Sequence, residues 1–305
     1  MCSAFKRTGR SVPVVRDLNK RTGRSVPVVR GRYQKALLLN VFLLPILAFG
    51  ATSRDLRVCA DPNNLPYSNA SGQGYEIDLA RLAGRNLGRS VQFVWAPQRG
   101  AFLQNTLYAG RCDVVMSIPT SIADVRATHP YYRSSYVFVT RADRHLNIRS
   151  FDDPRLKKLR IGVQILQNES GSATPPAAAL MDRQLANNIV WYRIYPNFSR
   201  SNPAAALVEG VERGEIDVAV AWGPLAGFCA RQAATPLEIH AVSPAIEHSV
   251  PLAFDISMGV RRDDATLCAA LNRIIARREP EIRRILERYG VPTGFAAPPA
   301  ARSSE

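Results

Sequence analysis

Leu56-Arg-Val-Cys-Ala60 runs straight into Asp61-Pro-Asn-Asn-Leu-Pro-Tyr67, and the reading of this junction decides the fold. A short apolar run broken by a Pro- and Asn-containing loop is a strand followed by a turn. The segment Tyr75-Glu-Ile-Asp-Leu-Ala-Arg-Leu-Ala-Gly-Arg-Asn-Leu87 then has apolar residues at helical spacing, with Gly88 to end it. The grammar continues with a strand at 91–95, a helix at 100–108 stopped by Gly110, a strand at Cys112-Asp-Val-Val-Met-Ser117 leaving through Pro119, and a strand at 136–140. Strands alternating with helices predict an α/β layered fold with a mostly parallel sheet.

A second unit repeats the pattern. Strands are expected at 159–163, 189–192, 216–221 and 237–241, with helices at 174–185, 203–213 and 223–232. The chain then returns through Phe254-Asp-Ile-Ser-Met-Gly-Val260, a strand, and helices at 265–277 and 280–289. Two such units with a late return predict two lobes with a cleft between them, crossed near 141–148 and near 243–253. The expected organisation is 53–142 with 252–292 as the first lobe, 143–251 as the second, and 293–305 as a disordered tail rich in Pro, Ala and Ser.

Residues 1–52 read as a basic repeat plus an export signal. The chain carries a net charge of +15, and residues 6–35 hold +9 of it through ten Lys/Arg against Asp17 alone. That block is a near-perfect tandem repeat, Lys6 to Arg16 and again Lys20 to Arg30, too short for a solenoid. The apolar run Ala36 to Ala51 ends in small residues, with Ala48 and Gly50 placed for cleavage near Gly50 to Thr52. Basic, apolar and small-residue regions in this order describe a secretory signal, and the run is short for a membrane span of ~20 residues. A periplasmic protein is expected, and the location of the charge argues against nucleic acid. Loss of the signal removes Cys2 and leaves Cys59, Cys112, Cys229 and Cys268, an even number in an oxidising compartment.

The order of these phrases resembles a periplasmic solute-binding protein, a two-lobed fold in which each lobe is a mostly parallel sheet flanked by helices. In the amino-acid binders of that kind, an Arg soon after the Asp113-Val-Val-Met116 strand clamps the ligand carboxylate and an Asp ending the later strand takes the amino group. Here the first stretch reads Pro119-Thr-Ser-Ile-Ala-Asp124 with Arg126 as the nearest Arg, and Trp222 stands at the Asp position. Cys59-Ala-Asp-Pro-Asn-Asn-Leu-Pro66, Trp95-Ala-Pro-Gln-Arg-Gly100, Pro130-Tyr-Tyr-Arg-Ser-Ser-Tyr-Val-Phe-Val139, Ala221-Trp-Gly-Pro-Leu-Ala-Gly227 and Tyr289-Gly-Val-Pro292 narrow the match. Together, over about 57–292, they are similar to the MxaJ/XoxJ family. The resemblance implies a periplasmic, non-enzymatic accessory of a PQQ-dependent quinoprotein methanol dehydrogenase, serving its maturation or activation, with the dehydrogenase's cytochrome c as a further candidate partner. No cofactor is implied for this chain itself. The alternative is a receptor for a small non-amino-acid solute of an ABC-type transporter.

The resembled fold places the first and third strands side by side, which favours a Cys59–Cys112 disulfide, with Cys229–Cys268 as the second pair; the alternative is that one or both pairs are buried free thiols, since Cys is among the most buried residue types. Loops at the carboxyl ends of parallel strands form the crevice of such sheets. The candidate cleft residues are accordingly Asp61, Asn63, Asn64, Tyr67, Gln98, Arg99, Pro119, Thr120, Tyr131, Arg133, Trp222 and Pro224. Several have a second reading: Asp61-Pro62 as a turn, Tyr131 with Tyr132 as hinge packing, Arg133 as one half of a local ion pair, and Trp222 as the base of its own lobe. No metal site is expected, because Asp152-Asp153 and Asp263-Asp264 sit where helices need caps. The histidines, His129, His145, His240 and His248, are scattered without nucleophile spacing, and Gly-x-Ser-x-Gly is absent, so no catalytic residues are assigned.

Overall fold

The computed structural model describes residues 54–98, 100–165, 174–193 and 202–293. The basic repeat, the export segment, Arg99 and residues 294–305 lie outside them. The chain runs through β1 (Leu56–Ala60), two-residue strands β2 (Asn63–Asn64) and β3 (Ser68–Asn69), α1 (Tyr75–Leu87), β4 (Val91–Trp95), a π-turn at Gln104–Tyr108, β5 (Val114–Pro119), β6 (Val125–Ala127) and β7 (Tyr132–Arg141). It continues through β8 (Ile161–Ile165), α2 (Pro175–Asp182), β9 (Ile189–Arg193), α3 (Ala206–Glu212), β10 (Val218–Trp222), α4 (Gly223–Ala230) and β11 (Leu237–Ala241). The paired strands β12 (Ile246–Glu247) and β13 (Val250–Pro251), then β14 (Ala253–Arg261) and α5 (Ala265–Arg288), complete it.

In the first lobe β1 pairs in parallel with β4 and β5, and the return strand β14 pairs antiparallel with β5. In the second lobe β8 pairs in parallel with β9 and β10. Strand β7 joins the two: Tyr132 to Ser135 pair with β14, whereas Tyr136 to Thr140 pair with β10. The chain therefore passes between the sheets inside this strand, between Ser135 and Tyr136, earlier than the expected crossing at 141–148. The pleat explains why the strand tolerates both environments, since Val137 and Val139 face one core of the second lobe and Phe138 another.

Helix α1 shows how local chemistry sets an element. Gly74 precedes it at φ 124°, a conformation only glycine takes readily, and an added Cβ there would collide with the Tyr67 carbonyl. Glu76 and Asp78 occupy the first turn, where the macrodipole favours acids, and Gly88 closes the helix at φ 64° by donating to the carbonyls of Arg85 and Gly84. Its apolar face, Leu79, Leu82 and Ala83, buries against Leu271, Ile282 and Leu286 of α5 in one core with Val58, Met116 and Met258. The two helices expected at 265–289 form one element, kinked where Pro280 withholds a backbone donor and Arg278 leaves helical geometry.

The other face of the first sheet carries a second cluster, Cys59, Phe102, Leu107, Cys112, Val115 and Ile118, and Cys59 and Cys112 are bridged within it. Beside the bridge, Arg57 grips the buried Asp113 carboxylate at 2.6 Å and 3.2 Å, and Arg261 of β14 donates to the Cys112 carbonyl at 2.8 Å. Burial alone would raise the Asp113 pKa, but the Arg57 hydrogen bonds outweigh it and hold the carboxyl below its ordinary range. The second expected disulfide is not formed: Cys229 and Cys268 are free thiols. Cys268 on α5 packs into the first-lobe core, while Cys229 on α4 packs against Val208 and Val211 in the second, so the two side chains serve different cores. Burial pushes the Cys229 thiol up to about 12, reinforced by Glu209 and Glu212, which suits an inert packed residue.

The Cys59–Cys112 bridge closes a loop with a sequence separation of 53. A loop of this length restricts the unfolded chain by roughly 3–4 kcal/mol. Paired Cys59→Ser and Cys112→Ser replacement is expected to lower the urea-derived unfolding free energy by that order; a loss below about 0.5 kcal/mol would show that the bridge adds nothing to the pre-formed cluster.

Candidate functional site

The strand ends of both lobes converge on a cavity of about 760 Å³. From the first lobe it is lined by Asp61, Asn63, Asn64, Tyr67, Gln98, Ser117 and Pro119, and from the second by Gln164, Ile165, Pro175, Pro203 and Trp222. Residues of β2 lie within 8 Å, Cα to Cα, of the Pro203–Ala205 turn, so the two rims meet across the opening. Of the twelve candidates from the sequence, seven line this space: Asp61, Asn63, Asn64, Tyr67, Gln98, Pro119 and Trp222.

Asp61 is both a turn former and a wall residue. Its carboxylate accepts from the Asn63 N–H at 2.8 Å and the Gln98 N–H at 2.6 Å, stitching the loop after β1 to the loop after β4. The Asn64 side-chain amide adds a bond to Gln98 at 3.0 Å. Trp222 does not fill the base of its own lobe. It stands edge-on to Tyr136 at 5.3 Å and to Phe254 of the return strand at 5.8 Å, and it packs on the core of the opposite lobe. It thus bridges the hinge while presenting one side to the cavity.

The remaining candidates are placed elsewhere. Thr120 donates to the Asp255 carbonyl and shares a 2.7 Å hydrogen bond with Ser257, fastening the loop to β14. Arg133 donates to Asp255 at 2.9 Å, the local ion-pair reading. Pro224 is buried in the first turn of α4. Arg99 lies outside the described residues. Tyr131 is turned away from the space, donating to the Met116 carbonyl at 2.7 Å, and its neighbour Tyr132 lines it instead. The one-residue difference is a matter of pleat: Tyr132 and Tyr136 share a face of β7, and Phe254 and Ile256 share a face of β14. All four line the cavity, and the alternation of those two strands was the signal that could have found them.

Among the described residues the lining holds one charged side chain, Asp61, and no Lys, Arg or His. Behind Ser117 lies a second carboxyl. Glu76 is 4% exposed, and its Oε1 has no hydrogen-bond partner. Burial pushes its pKa up to about 7, the Ser117 hydroxyl pulls it down in part, and the Asp61 charge pushes it further up. An aromatic floor surrounds it: Tyr67 and Tyr75 have ring centroids 5.3 Å apart, and the Tyr75 and Tyr132 hydroxyls share a hydrogen bond of 2.9 Å. Among the described residues no group of three or more His, Cys, Asp or Glu is placed to hold a metal ion. Asp153 and Asp264 act as helix caps, accepting from the backbone N–H groups of Arg155 and Leu267.

Two predictions follow from this geometry. Without an Arg clamp in the lining, no standard amino acid is expected to bind tighter than ~1 mM; calorimetry giving a micromolar dissociation constant would contradict it. The raised Glu76 pKa makes the folded state bind a proton that the unfolded state has already released. Its contribution to stability therefore declines as pH rises from about 4.5 to about 7, by an amount on the order of 3 kcal/mol. Glu76→Gln is expected to be more stable than the parent at pH 8 and close to it at pH 4.5 in urea unfolding. Parallel pH profiles for the two proteins would show that this carboxyl does not stay protonated in the fold.

The family model of the bacterial extracellular solute-binding proteins, family 3, matches residues 56–292. Protein MoxJ of Methylorubrum extorquens is 34% identical over 249 residues, covering 78% of this chain and 81% of its own. Protein MoxJ of Paracoccus denitrificans is 26% identical over 255 residues, covering 79% and 90%. The crystal structure of the periplasmic binding protein XoxJ from Methylobacterium extorquens AM1 superposes with a TM-score of 0.65 at 32% identity, covering 79% of this chain and 100% of that one. With its two lobes, its shared hinge strand and its interlobe cavity, the chain belongs to the bacterial extracellular solute-binding proteins, family 3, and within it to the group of MoxJ and XoxJ.

Proposed function

We propose that this chain is a periplasmic accessory protein of a PQQ-dependent methanol dehydrogenase and acts through protein contacts in its interlobe cavity. It is not an enzyme and it is not the receptor of a transporter. One observation carries the reading: the strand-end position where an amino-acid receptor would hold an Asp is filled by Trp222, in a cavity whose other walls are largely aromatic and apolar. Such a lining favours an apolar segment over a zwitterion. The family relationship to MoxJ and XoxJ supports the dehydrogenase as partner. A cytochrome c that serves the same dehydrogenase is the second candidate for contact. No helix among the described residues is long and apolar enough to cross a membrane, which fits a protein that meets its partner in the periplasm.

Seven wall residues form the proposed contact surface: Asp61, Asn63, Asn64, Tyr67, Gln98, Pro119 and Trp222. Trp222 is its anchor, because a rigid aromatic at the centre of a desolvated pocket dominates association. The test measures binding of the purified dehydrogenase to the parent, Trp222→Phe and Trp222→Ala. Truncation of such an anchor costs about 2 kcal/mol or more, so Trp222→Ala is expected to weaken association at least about tenfold, with Trp222→Phe in between. Trp222 also packs against Tyr136 and Phe254, so each variant is checked by circular dichroism for a native fold. A folded Trp222→Ala that binds as tightly as the parent would place the contact on an outer face.

A further inference from the structure

The lobes also meet through helices, apart from the hinge strands β7 and β14. Helix α4 follows Trp222 directly and packs on a second-lobe core through Ala226 and Cys229. Tyr289 and Val291, at the end of α5, pack on the first-lobe core. Between these two anchored segments the backbones touch. A Cβ at Gly227 would lie 2.0 Å from the Gly290 carbonyl oxygen, so no other residue fits there unless one segment moves. Gly290 turns the chain at φ 70°, and its N–H donates to the Glu287 carbonyl at 2.9 Å. The same carbonyl accepts from Arg231 of the opposite lobe at 2.5 Å, so a cation caps the negative end of α5 across the junction. Phe228 and Tyr289 stack beside it with ring centroids 6.4 Å apart.

This junction reaches the interlobe cavity by two routes. Leu225, two residues before Gly227 on α4, lines the cavity. From the other side the Tyr289 ring stands 6.3 Å from Tyr75, which stands 5.3 Å from Tyr67 and 6.2 Å from Tyr132, both wall residues. A second cavity of about 470 Å³ borders the junction, lined among the described residues by Gly227, Ala230, Arg231, Leu237, Ile239 and Gly290, so the contact is narrow and has room to part. Each side of it is fixed in a different core, and a change in their separation therefore moves one lobe against the other. We infer that the crossing of α4 over the end of α5 is a latch that sets the angle between the lobes. Gly227 and Gly290 let the backbones meet, Arg231 fastens them, and the width of the interlobe cavity depends on whether that contact holds. The latch concerns the cavity of the proposed function but stands on the fold alone, whichever partner enters.

The experiment is small-angle X-ray scattering on the intact mature protein, comparing the parent with Gly227→Ala, Arg231→Ala and Val208→Ala, each checked by circular dichroism. Gly227→Ala inserts a wedge at the crossing, and Arg231→Ala removes the clasp. Val208→Ala lightens the core under α4 without touching the junction. Gly227→Ala is expected to raise the radius of gyration by at least about 0.5 Å over the ~18 Å of a compact fold of this size, with Arg231→Ala shifting it in the same direction by less. Val208→Ala is expected to lower the unfolding free energy and leave the radius as in the parent. A folded Gly227→Ala with the parent's radius overturns the inference, because the wedge is then absorbed locally and the lobes do not follow. An equal increase in Val208→Ala overturns it too, since any loosening of the second lobe would then open the cleft. If Gly227→Ala does not fold, Arg231→Ala decides, and an unchanged radius there overturns the latch. None of these readings uses the dehydrogenase, so failure of the accessory reading appears separately, as a parent protein that does not associate with it.

Discussion

Tyr136 lies at the point where β7 stops pairing with one sheet and begins pairing with the other, and its ring stands 5.3 Å from that of Trp222. The rest of the cleft depends on this contact. Trp222 ends the central strand of the second lobe, and Phe254 begins the strand that brings the chain back to the first. With the three rings edge to edge, neither strand end can shift without unpacking an aromatic pair, each worth about 0.5–1.5 kcal/mol beyond its buried area. The same alternation that aims Tyr136 at the hinge aims Tyr132 at the cavity four residues earlier. Hinge and cavity wall are therefore built from one strand face.

Much of the fold could be read along the chain because its signals are local. Gly88 ends α1 through a backbone conformation that glycine favours, Pro280 kinks α5, and the strands appear where β-rich runs meet turn residues. The Cys59–Cys112 bridge followed from strand adjacency in the resembled fold. What the chain hides is orientation between distant elements. Cys229 and Cys268 complete an even set of cysteines along the chain, yet α4 and α5 turn them into separate cores. Tyr131 and Tyr132 are equivalent in composition, and only the register of β7 against β14 decides which faces the cavity. Glu76 reads in sequence as an acid that suits a helix start, and nothing local shows that the loop after β1, β5 and β7 close over it.

Electrostatics separate this molecule from a receptor for amino acids. Most of the net positive charge belongs to the N-terminal repeat, while the described wall of the cleft is acidic and aromatic. Among the described residues, Arg133, next to the wall residue Tyr132, is engaged with Asp255, while Arg57 and Arg261, which are not part of the lining, hold Asp113 and the Cys112 carbonyl. These three side chains brace strands.

Hydrogen–deuterium exchange of this protein with and without the methanol dehydrogenase tests most directly whether the interlobe cavity is the working surface. Protection is expected in the loop 61–67, in the β5 exit at 117–122 and at 218–225, with little change on the outer faces of α5 and α3. Protection confined to those outer helices or to the free edge of β9, with the cavity walls exchanging as in the protein alone, would contradict the account.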